Sequence, residues 1–295
     1  MGHDLDNTRS QPAETQIGPT NVGSLSPNWT FTAGGDISVT PTVSGNAVYF
    51  PDWAGNLYAV DKNAGKLLWK HLISDYDGVP GSVARVSPAV NGNDLIFGDV
   101  LSTRATHNGA NMMAVDRQTG ALHWITKVDT NPAAVITGSA VVFNGTVYVG
   151  VSSIEETLAQ NNNYPCCTFR GSIVALDANT GAIRWKTFVV PDNGGVPGGY
   201  TGGAVWQPPA IDPSRGSLFI GTGNNYSVPA SVMACMQQNP NAACVDPNDL
   251  FDTALSLDLA TGKVKWARKF QTFDVWTLAC ISAPPRDELS GPEQP

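Results

Sequence analysis

Oxygen donors, rather than imidazoles, are the residues whose placement in this 295-residue chain could do chemistry. Four histidines, His3, His71, His107 and His123, are scattered without the close spacing of a zinc site. Glu155 and Glu156 stand side by side in VGVSSIEE, and Asn224 and Asn225 follow the backbone-tight GTG at 221–223. Carboxylate and amide oxygens suit a hard cation, whereas an acidic pair in a polar loop is ordinarily solvated and a Gly-Asn run ordinarily makes a turn. GTGNN is too short for a dinucleotide fingerprint and no helical pattern follows it, so NAD is not implied. Sulfur is the other reactive element. Cys166 and Cys167 are adjacent and could form only a vicinal bridge, Cys235 and Cys244 bracket the polar insert MQQNPNAA and read as a clip, and Cys280 is left over. That usage favours an oxidising compartment over five free cytosolic thiols.

The elements that must position these groups are written four times. LYAVDKNAGKLLW (57–69), MMAVDRQTGALHW (112–124), IVALDANTGAIRW (173–185) and LSLDLATGKVKW (255–266) each run from an apolar strand to an aspartate, a glycine and a tryptophan. Asp61, Asp116, Asp177 and Asp258 precede their glycines by four residues, with Trp69, Trp124, Trp185 and Trp266 four further on. Asp followed by Gly is tight-turn chemistry, because the carboxylate accepts backbone N–H groups and glycine takes positive φ. These aspartates are therefore structural. Repeats of short antiparallel strands that cannot bury their faces alone predict propeller blades, with the tryptophans packed between neighbouring sheets. LSPNW at 25–29 reads as one further strand. The spacing between copies lengthens where SIEETLAQNNNYPCCTFRG and NNYSVPASVMACMQQNPNAACVDPNDLFD are inserted, and long insertions in a repeat usually carry function. IEETLAQ at 154–160 is a candidate short helix, and His123, beside Trp124, reads as strand packing.

Composition closes off other classes. There are 17 basic against 25 acidic residues, a formal net charge of −8, with no Lys/Arg stripe, so a nucleic-acid partner is not expected. No run approaches the ~20 apolar residues of a membrane span. The opening MGHDLDNTRSQPAE lacks a basic-then-apolar leader; the cysteines point to a periplasmic or secreted protein whose leader is absent from this sequence. APPRDELSGPEQP at the end has no strand pattern, so residues 1–281 are expected to form one propeller domain and 282–295 a divergent, disordered tail.

The AxDxxTGxxxW element resembles the tryptophan-docking repeat of pyrroloquinoline quinone (PQQ)-dependent alcohol dehydrogenases. GHDLDNTR at 2–9, the stretch from Gly34 to Asp61 and GTGNNY at 221–226 are most similar to the polyvinyl alcohol dehydrogenase branch. The resemblance implies an all-β propeller of quinoprotein alcohol dehydrogenase type, of which this chain writes about four to five blades of an expected eight. It implies PQQ and Ca²⁺ as cofactors, an alcohol or hydroxylated polymer as substrate, and a cytochrome c-like electron acceptor. By motif, it places Glu155 and Asn224 as metal ligands, Trp206 (GGAVWQPPAIDP) beneath the quinone, and Arg85 (ARVSPAV) on a quinone carboxylate. Cys166 and Cys167 match the family's adjacent-cysteine disulfide. Thr277, in FDVWTLAC, stands where the family has its catalytic aspartate, and a threonine hydroxyl is no general base near neutral pH. Asp274, three residues earlier, matches another acidic family position and becomes the candidate base. Two alternatives follow from that departure and the blade count: a non-catalytic propeller scaffold, or a truncated inactive member whose open edges self-associate.

Overall fold

Each aspartate of the repeat folds its own turn. Asp116 Oδ1 accepts the N–H groups of Gln118 and Thr119 at 2.9 and 2.8 Å, and Asp61, Asp177 and Asp258 do the same at their turns. The glycine N–H then donates back to the aspartate carbonyl, as from Gly181 to Asp177 at 2.9 Å, with Gly65, Gly120, Gly181 and Gly262 at φ between 66° and 75°. These turns join the last two strands of four antiparallel sheets, which the computed structural model shows over the described residues 4–101, 109–239 and 242–282.

Each of these four sheets contains a four-stranded blade with its strands in chain order, and the third carries a fifth strand, Ala134–Val135, paired with Ser153 and Ser152. The first comprises Thr42–Ser44, Ala47–Pro51, Asn56–Asp61 and Leu67–Leu72. The second comprises Ala89–Asn91, Asp94–Gly98, Ala110–Asp116 and Leu122–Asp129. Val141–Phe143, Thr146–Ser153, Ser172–Asp177 and Ile183–Phe188 make the third, and Ala210–Asp212, Ser217–Gly221, Thr253–Asp258 and Val264–Lys269 the fourth. The third strands of the first three blades are buried along almost their whole length, because both their faces are covered; in the first blade one of those faces, through Tyr58 and Val60, meets the strandless segment carrying Trp29, Phe31 and Val39. In every blade a register shift falls just before the tryptophan, so that Ala59 faces Trp69 but Val60 faces Leu67. The bulged residue turns the indole toward the next blade.

There the indole closes a relay. Trp69 Nε1 donates to the Arg117 carbonyl at 3.0 Å, Trp124 to Ala178 at 3.1 Å and Trp185 to Leu259 at 3.0 Å, in each case the residue after the next blade's aspartate. Each ring covers the glycine of that turn so closely that a Cβ on Gly181 would lie 2.5 Å from Trp124. Between the sheets lie the two main cores, one running through the first three blades around Leu57, Phe97, Met113 and Val149, the other joining the third and fourth around Ile173, Leu218 and Leu255.

LSPNW departs from expectation. No strand is assigned there, yet Trp29 performs the relay's role, donating to the Lys62 carbonyl at 2.8 Å and covering Gly65. A fourth strand is held by the third strand of its own blade, and among the described residues Trp29 has none. His123 also differs from a packing role: its side chain is 43% exposed and meets Asp94 at 2.6 Å. The Cys235–Cys244 disulfide forms and closes the loop after the helix Ala230–Gln238, Cys166 and Cys167 are bridged, and Cys280 is free. The expected tail, beyond Ser282, lies outside the described residues. No helix among them is long and apolar enough to cross a membrane.

Candidate functional site

The connections that enter each blade line up with one another. Ser87 N–H donates to Ser139 Oγ at 2.9 Å, and a Cβ on Gly138 would lie 2.9 Å from the Gln207 backbone. Aligning ARVSPAV, TGSAVV and WQPPAI on the strands that follow puts Arg85, Thr137 and Trp206 at the same place in three successive blades. Arg85 is exposed, and Trp206 is 62% exposed although its neighbours Ala204 and Val205 are buried. Thr137 Oγ1 is buried with no hydrogen-bond partner. Sequence reasoning missed Thr137; this alignment with Arg85 and Trp206 was the available signal.

Asn224 lies beside Trp206. Gly223 N–H donates to the Ala204 carbonyl at 2.9 Å, and a Cβ on Gly223 would sit 3.7 Å from Trp206 Nε1. Asn224 Nδ2 donates to the carbonyls of Asn225 and Trp276 at 2.7 and 2.8 Å, which fixes the amide and leaves Oδ1 open. The segment carrying Asp274 and Thr277 is held along Asn225, which gives its N–H to the Asp274 carbonyl and accepts from Trp276 N–H. Leu278 N–H continues to the Glu156 carbonyl at 3.1 Å. GTGNN, FDVWTL and SIEE, far apart in sequence, thus meet beside Trp206.

Glu155 begins the short helix Glu155–Leu158 and is fully buried. Its Oε1 accepts from Tyr164 Oη at 2.9 Å, Thr168 N at 2.8 Å and Thr168 Oγ1 at 3.1 Å, and its Oε2 from Phe169 N at 2.8 Å. The bridged Cys166–Cys167 pair lies inside that wrap. Glu156 is half-buried, and desolvation pushes its carboxyl above the usual range. Burial raises the Tyr226 phenol too, with Glu156 and then Glu155 adding to the effect. Among the described residues no cluster of three or more His, Cys, Asp or Glu side chains is placed to hold a metal.

Thr277 is buried. The Asp274 carboxyl is directed at Asp252 in a cavity of about 400 Å³, lined also by Thr222, Thr253, Phe270 and Gln271. Burial, followed by the hydrogen bond and charge of Asp274, pushes Asp252 up to about 7, against the pull of Lys269. Asp249 is buried nearby and raised to about 6 by desolvation; Asn225 Nδ2 donates to its Oδ1 at 3.1 Å.

An exposed indole, an unpartnered hydroxyl and an open amide oxygen lie close together, with Arg85 at the matching position of an earlier blade, and such groups could hold a flat, oxygen-rich ligand and a hard cation. The sequence matches the family model for the glucose/ethanol/alcohol dehydrogenase β-propeller domain of PQQ proteins over residues 1–285. It is 27% identical over 301 residues to a polyvinylalcohol dehydrogenase of a Pseudomonas species, covering 99% of this chain and 43% of that protein. To the polyvinylalcohol dehydrogenase of Sphingopyxis sp. strain 113P3 it is 28% identical over 284 residues, 93% of this chain and 40% of the relative. In fold it resembles the quinohemoprotein alcohol dehydrogenase ADHIIG of Pseudomonas putida HK5, with a TM-score of 0.70 at 22% identity, over 94% of this chain and 40% of that one. The chain belongs to the PQQ-dependent alcohol dehydrogenase β-propeller family, and it spans about two-fifths of the length of these relatives.

Proposed function

We propose that this chain carries the quinone- and metal-binding part of a PQQ-dependent dehydrogenase acting on a secondary alcohol or a hydroxylated polymer such as polyvinyl alcohol. The observation that carries the reading is the meeting of Trp206, Thr137 and Asn224 at one place on the blades, each with its binding surface unused. PQQ, when bound, supplies a two-electron acceptor for hydride leaving the alcohol carbon.

The chain's own residues then have distinct tasks. Trp206 offers its exposed face as a platform for a flat ring. The Arg85 guanidinium suits carboxylates, and the Thr137 hydroxyl gains the hydrogen bond it lacks. Asn224 presents Oδ1 to a hard cation, Ca²⁺ in this proposal, because its amide protons are already held by two carbonyls. Asp274, paired with Asp252, is the carboxylate proposed to take the hydroxyl proton in place of Thr277. Electrons leave to a cytochrome c-type acceptor, and the disulfides suit a periplasmic or secreted location.

Calorimetric titration with PQQ, with and without Ca²⁺, tests this. Calcium-dependent binding that collapses in Trp206→Ala is the expected result, and absence of binding by a folded chain would overturn it. The second reading, a non-catalytic scaffold, is favoured by the buried Thr277 at the base position, and requires a folded chain that never takes up PQQ.

A further inference from the structure

At one end of the fourth blade, three strands close the cavity of about 400 Å³, a volume within the range of small-ligand sites. Ser217–Gly221 runs into Thr222 on one side, Asp252 leads into the third strand, and Phe270, Gln271 and Asp274 follow the fourth. Backbone bonds tie these walls together. Asp252 N–H donates to the Gly223 carbonyl at 3.1 Å, and Phe270 N–H to the Asp252 carbonyl at 3.0 Å. The cavity adjoins the strip that carries Trp206, because Gln207 Nε2 donates to the Gly221 carbonyl at 3.1 Å and Gly223 N–H to that of Ala204 at 2.9 Å.

Its lining is divided between hydrocarbon and a small polar group. Phe270 is 66% exposed, and its ring joins neither of the neighbouring cores. The hydroxyls of Thr222 and Thr253 are engaged by the backbone, donating to the carbonyls of Leu250 and Phe251. The Asp252 and Asp274 carboxyls hydrogen-bond to each other, which takes one shared proton and leaves their outer lone pairs for a ligand. Gln271 is exposed beside them. An anion would be repelled by this pair, and among the described residues no third Asp, Glu, His or Cys joins it to make a metal cluster. A sugar ring bears a hydroxyl on nearly every carbon and would find partners here for few of them. A chain with hydroxyls on alternate carbons meets the carboxyls with one group and the phenyl ring with the next.

We infer that this cavity is a subsite for a neutral polyol chain bearing hydroxyls on alternate carbons, with one hydroxyl on the Asp252–Asp274 pair and the flanking methylenes on Phe270. The inference rests on the proposed alcohol-oxidising function and deepens it, because Phe270 becomes the residue that distinguishes a polymer from a small alcohol. Two methylenes laid on the ring give a preference of about tenfold.

The test is saturation-transfer NMR and calorimetry on the full chain without PQQ, using short vinyl-alcohol oligomers, isopropanol and glucose as probes. PQQ binding is titrated separately by quenching of tryptophan fluorescence. The wild type should bind the oligomers, and isopropanol more weakly. Phe270→Ala should weaken oligomer binding about tenfold while leaving isopropanol binding and the melting midpoint unchanged, and Phe270→Leu should restore most of the loss. Asp274→Ala should weaken both alcohols. A folded Phe270→Ala chain that binds the oligomers like the wild type overturns the inference, as does an equal loss of isopropanol and oligomer in that variant. So does glucose that displaces the oligomers at equal concentration, or a folded Asp274→Ala chain that keeps both alcohols. A wild-type chain that takes PQQ but no oligomer overturns the inference alone. One that takes oligomer but no PQQ upholds the subsite and overturns the cofactor reading, and a folded chain that takes neither overturns both.

Discussion

Trp124 and Gly181 belong to different blades, yet the indole of one, with Thr126 Oγ1, occupies the space a side chain on the other would need, and its Nε1 is held by the Ala178 carbonyl at 3.1 Å. The same relationship recurs from Trp185 to Gly262, and at Gly120 the space is shared by Trp69 and, closer still, by His71, always one blade forward. Blade order is therefore written into contacts between a turn and a ring, and the fourth blade's ring, on Trp266, is 49% exposed with no such turn against it among the described residues.

Removing a ring from inside the relay should cost far more than removing the last one. Trp124 is 7% exposed, and Trp124→Ala should destabilise the chain by about 3–5 kcal/mol in urea melts. Trp266→Ala should stay within about 1 kcal/mol. Equal costs for the two variants would refute the relay as the source of blade docking.

The glycine side of the contact separates backbone strain from packing. Gly145 and Gly181 have φ of 69° and 72°, but a Cβ on Gly145 meets nothing within 4 Å, whereas on Gly181 it meets the Trp124 ring. Gly145→Ala should cost about 1–2 kcal/mol from left-handed backbone alone. Gly181→Ala should cost distinctly more, by urea denaturation at matched pH, because the indole must also move.

The relay was legible in the sequence because each turn is local: aspartate, glycine and tryptophan lie within nine residues, and identical chemistry recurs four times. The site was only partly legible. Trp206, Asn224 and Arg85 sit in short motifs, but what their neighbours do depends on chain brought in from far away. Nothing in SIEE announces that Thr168 and Phe169 will occupy the first glutamate and leave the second open. Nor does FDVWTL reveal Asp252, more than twenty residues upstream, as the partner of Asp274. LSPNW failed for the opposite reason: its tryptophan obeyed the repeat, but strand pairing needs a neighbour the local pattern cannot supply.

The clip on the long fourth-blade insertion should be worth a measurable amount. Cross-linking Cys235 to Cys244 closes a loop of nine residues, for which chain entropy alone gives about 2.5 kcal/mol. Cys235→Ser with Cys244→Ser should lower urea stability by up to that amount. It should also loosen the helix Ala230–Gln238, whose Val232 packs with Phe251 just ahead of Asp252. Faster hydrogen exchange confined to 230–252 is the expected signature.

The pH dependence of stability tests the Asp252–Asp274 pair. Burial and its neighbour raise Asp252 from an ordinary carboxyl value to about 7, so between about pH 4 and 7 the folded state binds more protons than the unfolded one. Stability from this group is therefore fully present in acid and is lost as pH rises through the folded value; this is opposite in sign to a salt-bridged aspartate. Asp249, raised to about 6, and Asp99, raised to about 7 mainly by burial, act in the same direction. Asp252→Asn removes one ionisation while keeping a residue that tolerates its positive φ of 43° and can donate to Asp274. Its melting midpoint should match the wild type at about pH 3, begin to exceed it by pH 5 and exceed it most at pH 8. A wild-type midpoint that rises from pH 5 to 8, with Asp252→Asn tracking it throughout, would show that the two carboxyls do not share a proton. Asp274 would then act alone in any proton transfer proposed for it.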